Sequence, residues 1–304
     1  MDEPVKLSKF VANLEKRKDV DLKGVKFTRT SAAGENGFPH ALEITSYYLL
    51  SEDDQMLIVY EAKFKPEEKK EEEKKEEEKK EEEKTEEEKK KEEEEKEEEP
   101  PKAPKKTPIN MTNHTYWNLS GDFKIKNIRT HRLKLECDKY LVQNEHQIPT
   151  GEIKSVEDSV YDFRSGGEKA PLLITANDRL DGAVKHAGEN GIDDCFVINR
   201  PENNTGGDNI LRDACRLIHH STGRELKIST TQNCLIVYTG NFLPKDSQDL
   251  HKQYAAICLE PGQFNNAVNM LKPEWEEKGW PKEDQVLFKE GAKEYKHTTL
   301  YEFL

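Results

Sequence analysis

Short β-like runs of five to seven residues follow one another through the part of this 304-residue chain after residue 106. Their length and apolar content predict a β-strand for each run. No long stretch with a helical apolar period separates the runs, which argues against a parallel βαβ sheet. The sequence therefore predicts an all-β fold, a large antiparallel sandwich or barrel. The runs are Thr130–Glu136, Asp194–Ile198, Cys215–His220, Glu225–Thr231, Leu235–Thr239 and Tyr254–Glu260.

Two further strands are predicted near the start of the chain. Ala41–Leu50 and Met56–Phe64 both alternate, and the polar segment between them has the character of a hairpin loop. Before them, the i, i+3, i+4, i+7 spacing of Leu7, Phe10, Val11 and Leu14 predicts a short amphipathic helix.

Composition divides the chain into three parts: 1–65, 66–106 and 107–304. Within the middle part, Glu67–Glu99 contains 21 Glu, 11 Lys and one Thr, and it carries −10 of the net charge of −13. Such a segment has helix-favouring Glu–Lys pairs but no apolar face to dock on a core, so it is predicted to be a solvated helical or disordered insertion. The outer parts are predicted to build one sandwich, with residues 1–24 helical or atypical.

The remaining composition excludes several classes of protein. Net acidity without a basic stripe argues against nucleic-acid binding. No apolar run is long enough to span a bilayer, and no signal-like segment is visible in Met1–Lys6, so we expect a cytoplasmic protein without a membrane partner. The five widely spaced cysteines are typical of reduced, buried thiols and of neither a disulfide framework nor a zinc site.

The sequence contains no dinucleotide-binding, phosphate-loop, serine-hydrolase or zinc-protease motif. Acid–base chemistry by side chains therefore remains as the candidate chemistry. His114 lies in a segment rich in amides, hydroxyls and aromatic rings, a mixture that suits a sugar site. Glu260 ends an apolar run, where partial burial would raise its pKa toward that of a useful base. Either residue could instead be structural, His114 as a half-buried ring and Glu260 at an exposed strand end.

Two other residues are candidates for ligand contacts. Asp193 precedes Asp194 at the start of a predicted strand, where neighbouring carboxylates point to opposite faces. Gln232 follows two threonines at the end of another run. Each is equally compatible with a structural role, Asp193 as a turn residue after Gly191. The pattern predicts no cofactor and no metal site.

Taken together, these segments resemble the aldose 1-epimerase (galactose mutarotase) family. The matching blocks occur in the family's order, over about residues 25–64 and 107–304. They are Pro108–Gly121, Ile148–Ile153, Asp162–Arg164, Gly191–Asp193, Thr230–Gln232, Tyr238–Leu243, Cys258–Glu260 and His297–Thr299.

The resemblance implies a large antiparallel β-sandwich and an isomerase that interconverts the α and β anomers of free aldohexoses such as galactose and glucose. It implies that His114 is the general acid, that Glu260 is the general base, and that Asp193 and Gln232 bind sugar hydroxyls. It implies no cofactor, and we expect a monomer whose partner is a small sugar.

The sequence also departs from the family pattern at its start. Residues 1–24 do not resemble the family's N-terminal region, and neither its Gly-Arg-x-x-Asn-Arg segment nor its histidine before Gly-Gly is found. Two alternatives to the enzyme therefore stay open: a catalytically impaired or inactive sugar-binding homologue, and an interaction protein that acts through the Glu/Lys segment.

Overall fold

The structure, a computed structural model, is built almost wholly from antiparallel strands arranged in two main sheets. It describes residues 3–12, 18–65, 105–122, 124, 127–164, 172–173, 185–186, 189–200, 209–246, 252–292 and 295–304. The predicted Glu/Lys insertion at 66–106 therefore lies almost entirely outside the described residues.

The larger sheet has nine strands, and each neighbouring pair in it is antiparallel. In spatial order they are β1 (Val5–Lys6), β2 (Asp21–Ser31), β3 (Leu42–Leu50), β4 (Gln55–Phe64), β19 (Tyr295–Phe303), β15 (Glu225–Thr230), β14 (Arg212–His219), β7 (His131–Leu135) and β10 (Leu172–Leu173). The predicted hairpin is confirmed as β3 and β4.

The smaller sheet has six strands, again antiparallel. In spatial order they are β6 (Tyr116–Trp117), β17 (Ile257–Gly262), β16 (Cys234–Tyr238), β13 (Asp193–Ile198), β8 (Cys137–Gln143) and β9 (Pro149–Ser155). The described residues also form the pairs β5 (Lys106–Pro108) with β18 (Leu287–Lys289) and β11 (Lys185–His186) with β12 (Glu189–Asn190), and the helices α1 (Pro273–Glu276) and α2 (Glu283–Val286). Short 3-10 turns occur at Glu35–Gly37 and Ala267–Asn269.

Alternation along the strands produces three hydrophobic cores. The main core lies between the sheets and draws on both, as Ile228 and Leu217 do from the larger and Val237 and Leu259 from the smaller. A second core covers the outer face of the larger sheet, and a third covers part of the outer face of the smaller sheet. The predicted all-β antiparallel sandwich is confirmed, and the helices in the described part of the chain are too short to cross a membrane.

The predicted N-terminal helix is wrong for the described residues. Val5–Lys6 pairs with β2, and Leu7–Lys9 forms a single 3-10 turn. The same apolar residues are nevertheless buried, Phe10 and Val11 among them, in the second core. A short helix is marginal by itself, so packing against the sheet decided the local conformation. Leu14 lies outside the described residues.

Candidate active site

The pairing of β6 with β17 brings His114 and Glu260 together. Trp117 lies opposite Ile257 and Tyr116 opposite Cys258. His114 lies two residues before Tyr116 and Glu260 two residues after Cys258, and the His114 Nε2 atom is 3.4 Å from the Glu260 Oε1 atom. The face of β17 that carries Glu260 is turned away from the main core, because Ile257 and Leu259, which alternate with Cys258 and Glu260, are buried between the sheets.

Side-chain hydrogen bonds hold the segment before β6 in place. The Asn110 Oδ1 atom accepts a hydrogen bond from the Gln263 backbone N–H (2.9 Å), and its Nδ2 donates to the Gln263 carbonyl (3.2 Å). The Asn113 Nδ2 donates to the Tyr301 hydroxyl (2.6 Å), on the inner side of the segment. His114 therefore lies between these two anchored asparagines and the pairing of β6 with β17.

Burial makes Glu260 a stronger base than an ordinary carboxylate. Its side chain is 8% exposed, whereas that of His114 is 53% exposed. Desolvation raises the pKa of Glu260, the neighbouring His114 lowers it, and the negative charge of Asp193 raises it again. The desolvation expected from the sequence is thus present, and a carboxyl group with a raised pKa lies beside a solvent-accessible imidazole.

Asp193 begins β13, which lies next to β16 and so one strand away from β17, the strand that carries Glu260. It lies opposite Tyr238 on β16, and its Oδ2 accepts a hydrogen bond from the Gln147 Nε2 (2.9 Å). Asp194, as the alternation predicts, points the other way, where it is buried and interacts with the Tyr161 hydroxyl. Asp193 is therefore the aspartate on the His114 face.

Aromatic rings border the acid–base pair. The Tyr116 ring stacks on the His114 ring with centroids 5.0 Å apart, and Tyr238 meets the same ring edge-on at 6.1 Å. Phe242 stacks on Tyr238 at 6.2 Å. Tyr116 and Phe242 are exposed, so they offer ring faces to a ligand beside His114.

Gln232 is placed differently from the other three candidates. It is buried, and its Nε2 donates to the carbonyl of Met111 (3.2 Å), three residues before His114. The Met111 N–H in turn donates to the Tyr295 hydroxyl (3.2 Å). The Gln232 side chain thus supports the segment that carries His114 and does not hydrogen-bond to Glu260 or Asp193.

Several residues of this site were not predicted as site residues from the sequence. Tyr238 begins one of the blocks that resemble the family, but its place beside His114 follows from strand register. Gln147 belongs to the site through a turn, for which the local sequence gives no signal. Cys258 could have been found, because it lies two residues before Glu260 on one strand and so shares its face. The ligand atoms of His114, Cys258 and Glu260 all lie within 4.8 Å of one another, a set of donors that could hold a metal ion.

The fold and site define a class: an all-β sandwich of the galactose mutarotase type, with a histidine–glutamate pair on the outer face of its smaller sheet. Sequence comparison agrees, since the family model described as aldose 1-epimerase matches residues 96–292, more than half of the chain. The chain belongs to the aldose 1-epimerase family.

Individual proteins that the chain resembles agree with this family assignment. The chain is 28% identical to galactose mutarotase from Sus scrofa over 92% of its own length and 63% of that protein. It is 27% identical to aldose 1-epimerase from Escherichia coli (strain K12) over 92% of its length and 64% of that protein. The chain thus spans less than two thirds of these relatives.

Solved structures confirm the fold. An aldose epimerase homologue from C. elegans has a TM-score of 0.62 at 20% identity, covering 94% of this chain and 69% of that one. Galactose 1-epimerase from Lactobacillus acidophilus has a TM-score of 0.60 at 18% identity, covering 94% of this chain and 67% of that one. At these identities the likeness concerns architecture alone.

Proposed function

We propose that this chain is an aldose 1-epimerase that interconverts the α and β anomers of free aldohexoses, galactose and glucose among them. The observation that carries the proposal is the 3.4 Å approach of the His114 Nε2 atom to the Glu260 Oε1 atom. The two oxygens that must exchange protons, the ring oxygen and the anomeric hydroxyl, are both bonded to C1 of the sugar. An acid and a base for this reaction must therefore lie side by side.

Glu260 acts as the general base. Its carboxylate accepts the proton of the anomeric hydroxyl as the bond between C1 and the ring oxygen breaks. The electron pair of that O–H bond forms the aldehyde, and the pair of the C1–O bond goes to the ring oxygen. Burial supports this role because a raised pKa makes the carboxylate a better proton acceptor near neutral pH.

His114 acts as the general acid. In its protonated form it donates the Nε2 proton to the ring oxygen, and the chain opens to a free aldehyde with a hydroxyl on C5. Rotation about the C1–C2 bond presents the other face of the aldehyde. Closure then reverses both transfers: the C5 hydroxyl returns its proton to His114 and Glu260 protonates the carbonyl oxygen. The protein ends as it began, without a cofactor.

Asp193 and Gln232 are proposed to position the sugar. The Asp193 carboxylate lies on the His114 face and can accept hydrogen bonds from hydroxyl groups. Gln232 reaches the site through the segment that it supports, by way of Met111. The exposed rings of Tyr116 and Phe242 suit the apolar face of a hexose. The expected monomeric state stays a prediction.

Polarimetry of freshly dissolved α-D-galactose and α-D-glucose tests the proposal. The wild-type chain is expected to speed the change in optical rotation, and His114→Ala and Glu260→Gln are expected to slow it by about 100-fold or more, since each removes one proton-transfer group. His146→Ala is the matched control, because His146 and Glu145 form a similar pair (3.6 Å) that is exposed and has no buried carboxylate. Folded wild-type protein that leaves the rotation at the buffer rate would contradict the proposal. Sugar binding without turnover would then favour the non-catalytic homologue.

A further inference from the structure

One potential metal ligand in the site has no part in the proposed proton transfers. Cys258 lies two residues before Glu260 on β17, on the same face, and its thiol is fully buried. The Tyr116 hydroxyl hydrogen-bonds to it from the neighbouring strand. The cysteine therefore lies directly beside the acid–base pair, beneath the tyrosine that stacks on His114.

The three donors already have nearly the separation that a metal ion requires. The nitrogen of His114, the sulfur of Cys258 and a carboxylate oxygen of Glu260 lie within 4.8 Å of one another, with the nitrogen and oxygen 3.4 Å apart. In a tetrahedral zinc site, bonds of roughly 2.0–2.3 Å separate the ligand atoms by roughly 3.3–3.8 Å. A small movement of the half-exposed His114 ring would complete the geometry.

We propose that His114, Cys258 and Glu260 form an inhibitory site for Zn²⁺. Imidazole nitrogen, thiolate sulfur and carboxylate oxygen are the donors that zinc takes in proteins, and three protein ligands leave a fourth position for water. The sulfur selects against Mg²⁺ and Ca²⁺, which prefer oxygen ligands. On binding, the thiol proton is released to solvent and the sulfur electron pair forms the Zn–S bond.

The bound ion would block the chemistry instead of performing it. Zinc would occupy the His114 nitrogen and the Glu260 carboxylate, the two groups whose exchange of protons with the sugar is proposed above. Entry is through His114, the exposed ligand, because Cys258 and Glu260 are buried. Metal binding stands independently of the proposed function, whereas inhibition rests on it.

Binding is tested with untagged, metal-free chain, by calorimetry with Zn²⁺ and by absorption spectroscopy with Co²⁺ as a coloured substitute. The expected result is one zinc site and a thiolate-to-cobalt charge-transfer band. Cys258→Ala should abolish the band, and Cys258→Ala and His114→Ala should each weaken zinc affinity by at least ~100-fold. His146→Ala should bind as the wild type does, because His146 is exposed and pairs with Glu145 away from His114, Cys258 and Glu260.

Two outcomes would overturn the metal site. One is a cobalt spectrum without a thiolate band. The other is a band or a zinc affinity that survives in Cys258→Ala, which would assign the metal to one of the other four cysteines, all of them buried. If Cys258→Ala does not fold, the zinc affinity of His114→Ala is the deciding measurement. The His114 ring is half-exposed, so its removal should leave no buried cavity.

Inhibition is measured separately, by polarimetry with and without Zn²⁺. Zinc is expected to lower the initial rate in competition with the sugar, and a chelator should restore it. An active chain that is unaffected by saturating Zn²⁺ would contradict inhibition while leaving the cobalt result intact. A metal-free chain without activity would instead contradict the proposed function, and the spectroscopic result would still decide the metal site.

Discussion

At the scale of single residues, the charge around Glu260 should set the pH dependence of the reaction. In its proposed role as the base, Glu260 must be deprotonated, so activity is expected to fall as pH falls through its raised pKa. The negative charge of Asp193 contributes to that raised value, so Asp193→Asn is expected to lower the pKa of Glu260 and move the acidic limb of kcat/KM to lower pH. The measurement is a pH–rate profile, with an NMR titration of the Glu260 carboxyl as an independent readout.

Asp194→Asn is the matched control for this prediction. Asp194 is adjacent in sequence but lies on the opposite face of β13, with Tyr161, so the acidic limb should keep its position. If both variants moved the limb equally, the effect would be one of overall charge and not of the arrangement around Glu260.

At the scale of elements, the paired hydrogen bonds between Asn110 and Gln263 are expected to hold His114 in register. Asn110→Ala removes both bonds (2.9 and 3.2 Å) and leaves the Gln263 N–H without its acceptor. We expect a loss of about 1–3 kcal/mol in stability. We also expect a fall of roughly 10- to 100-fold in kcat, because His114 would no longer be held against the sugar. Hydrogen exchange of the 109–115 amides should become faster.

Asn199→Ala is the control that separates the loss of stability from the loss of turnover. The Asn199 Oδ1 accepts a backbone hydrogen bond from Asp138 (2.9 Å), at the end of β13 remote from Asp193. Its loss should cost stability without reducing kcat. Unchanged turnover in Asn110→Ala would show that β6 itself, and not this pair of hydrogen bonds, positions the histidine.

At the scale of the whole molecule, buried histidines should make the fold acid-sensitive. His131 and His219 lie opposite each other on β7 and β14, with rings 4.9 Å apart, and His131 Nε2 accepts a hydrogen bond from the Leu119 N–H (2.8 Å). Burial, followed by the charge of His219, lowers the pKa of His131 to about 4. Burial, followed by the charge of Arg200, lowers that of His297 to about 4. These rings are therefore neutral in the folded protein at pH values where the unfolded chain would protonate them.

The unfolded state thus binds more protons than the folded state between about pH 6.5 and pH 4, and the free energy of unfolding must fall as pH falls through that range. The contribution of His131 is on the order of 3 kcal/mol. His131→Gln, whose amide oxygen can accept the Leu119 N–H, should flatten the dependence in urea unfolding measured at about pH 7 and about pH 5. The exposed His146→Gln should leave it unchanged, and a slope that is the same in His131→Gln would contradict this account.

The sequence alone determined the class of fold and supplied the candidate residues of the site. Strand-like runs are a local property of the chain, so β3, β4, β7 and β13–β17 could be predicted from their own residues. The opposite faces of Asp193 and Asp194 follow from the period of two along a strand. Resemblance to the family drew attention to His114, whereas the sequence left both a buried and an exposed Glu260 open.

Only the tertiary structure decided how distant segments meet. The register of β6 on β17 brings His114 to Glu260, and it also brings Cys258 beneath Tyr116. Gln147 reaches Asp193 from a turn, and Gln232 contacts the segment that carries His114 from another part of the chain. No local sequence pattern predicts either contact. The helical spacing at Leu7–Val11 was overridden for the same reason: the burial of apolar residues is decided by the whole sheet, whereas periodicity reports only the neighbours along the chain.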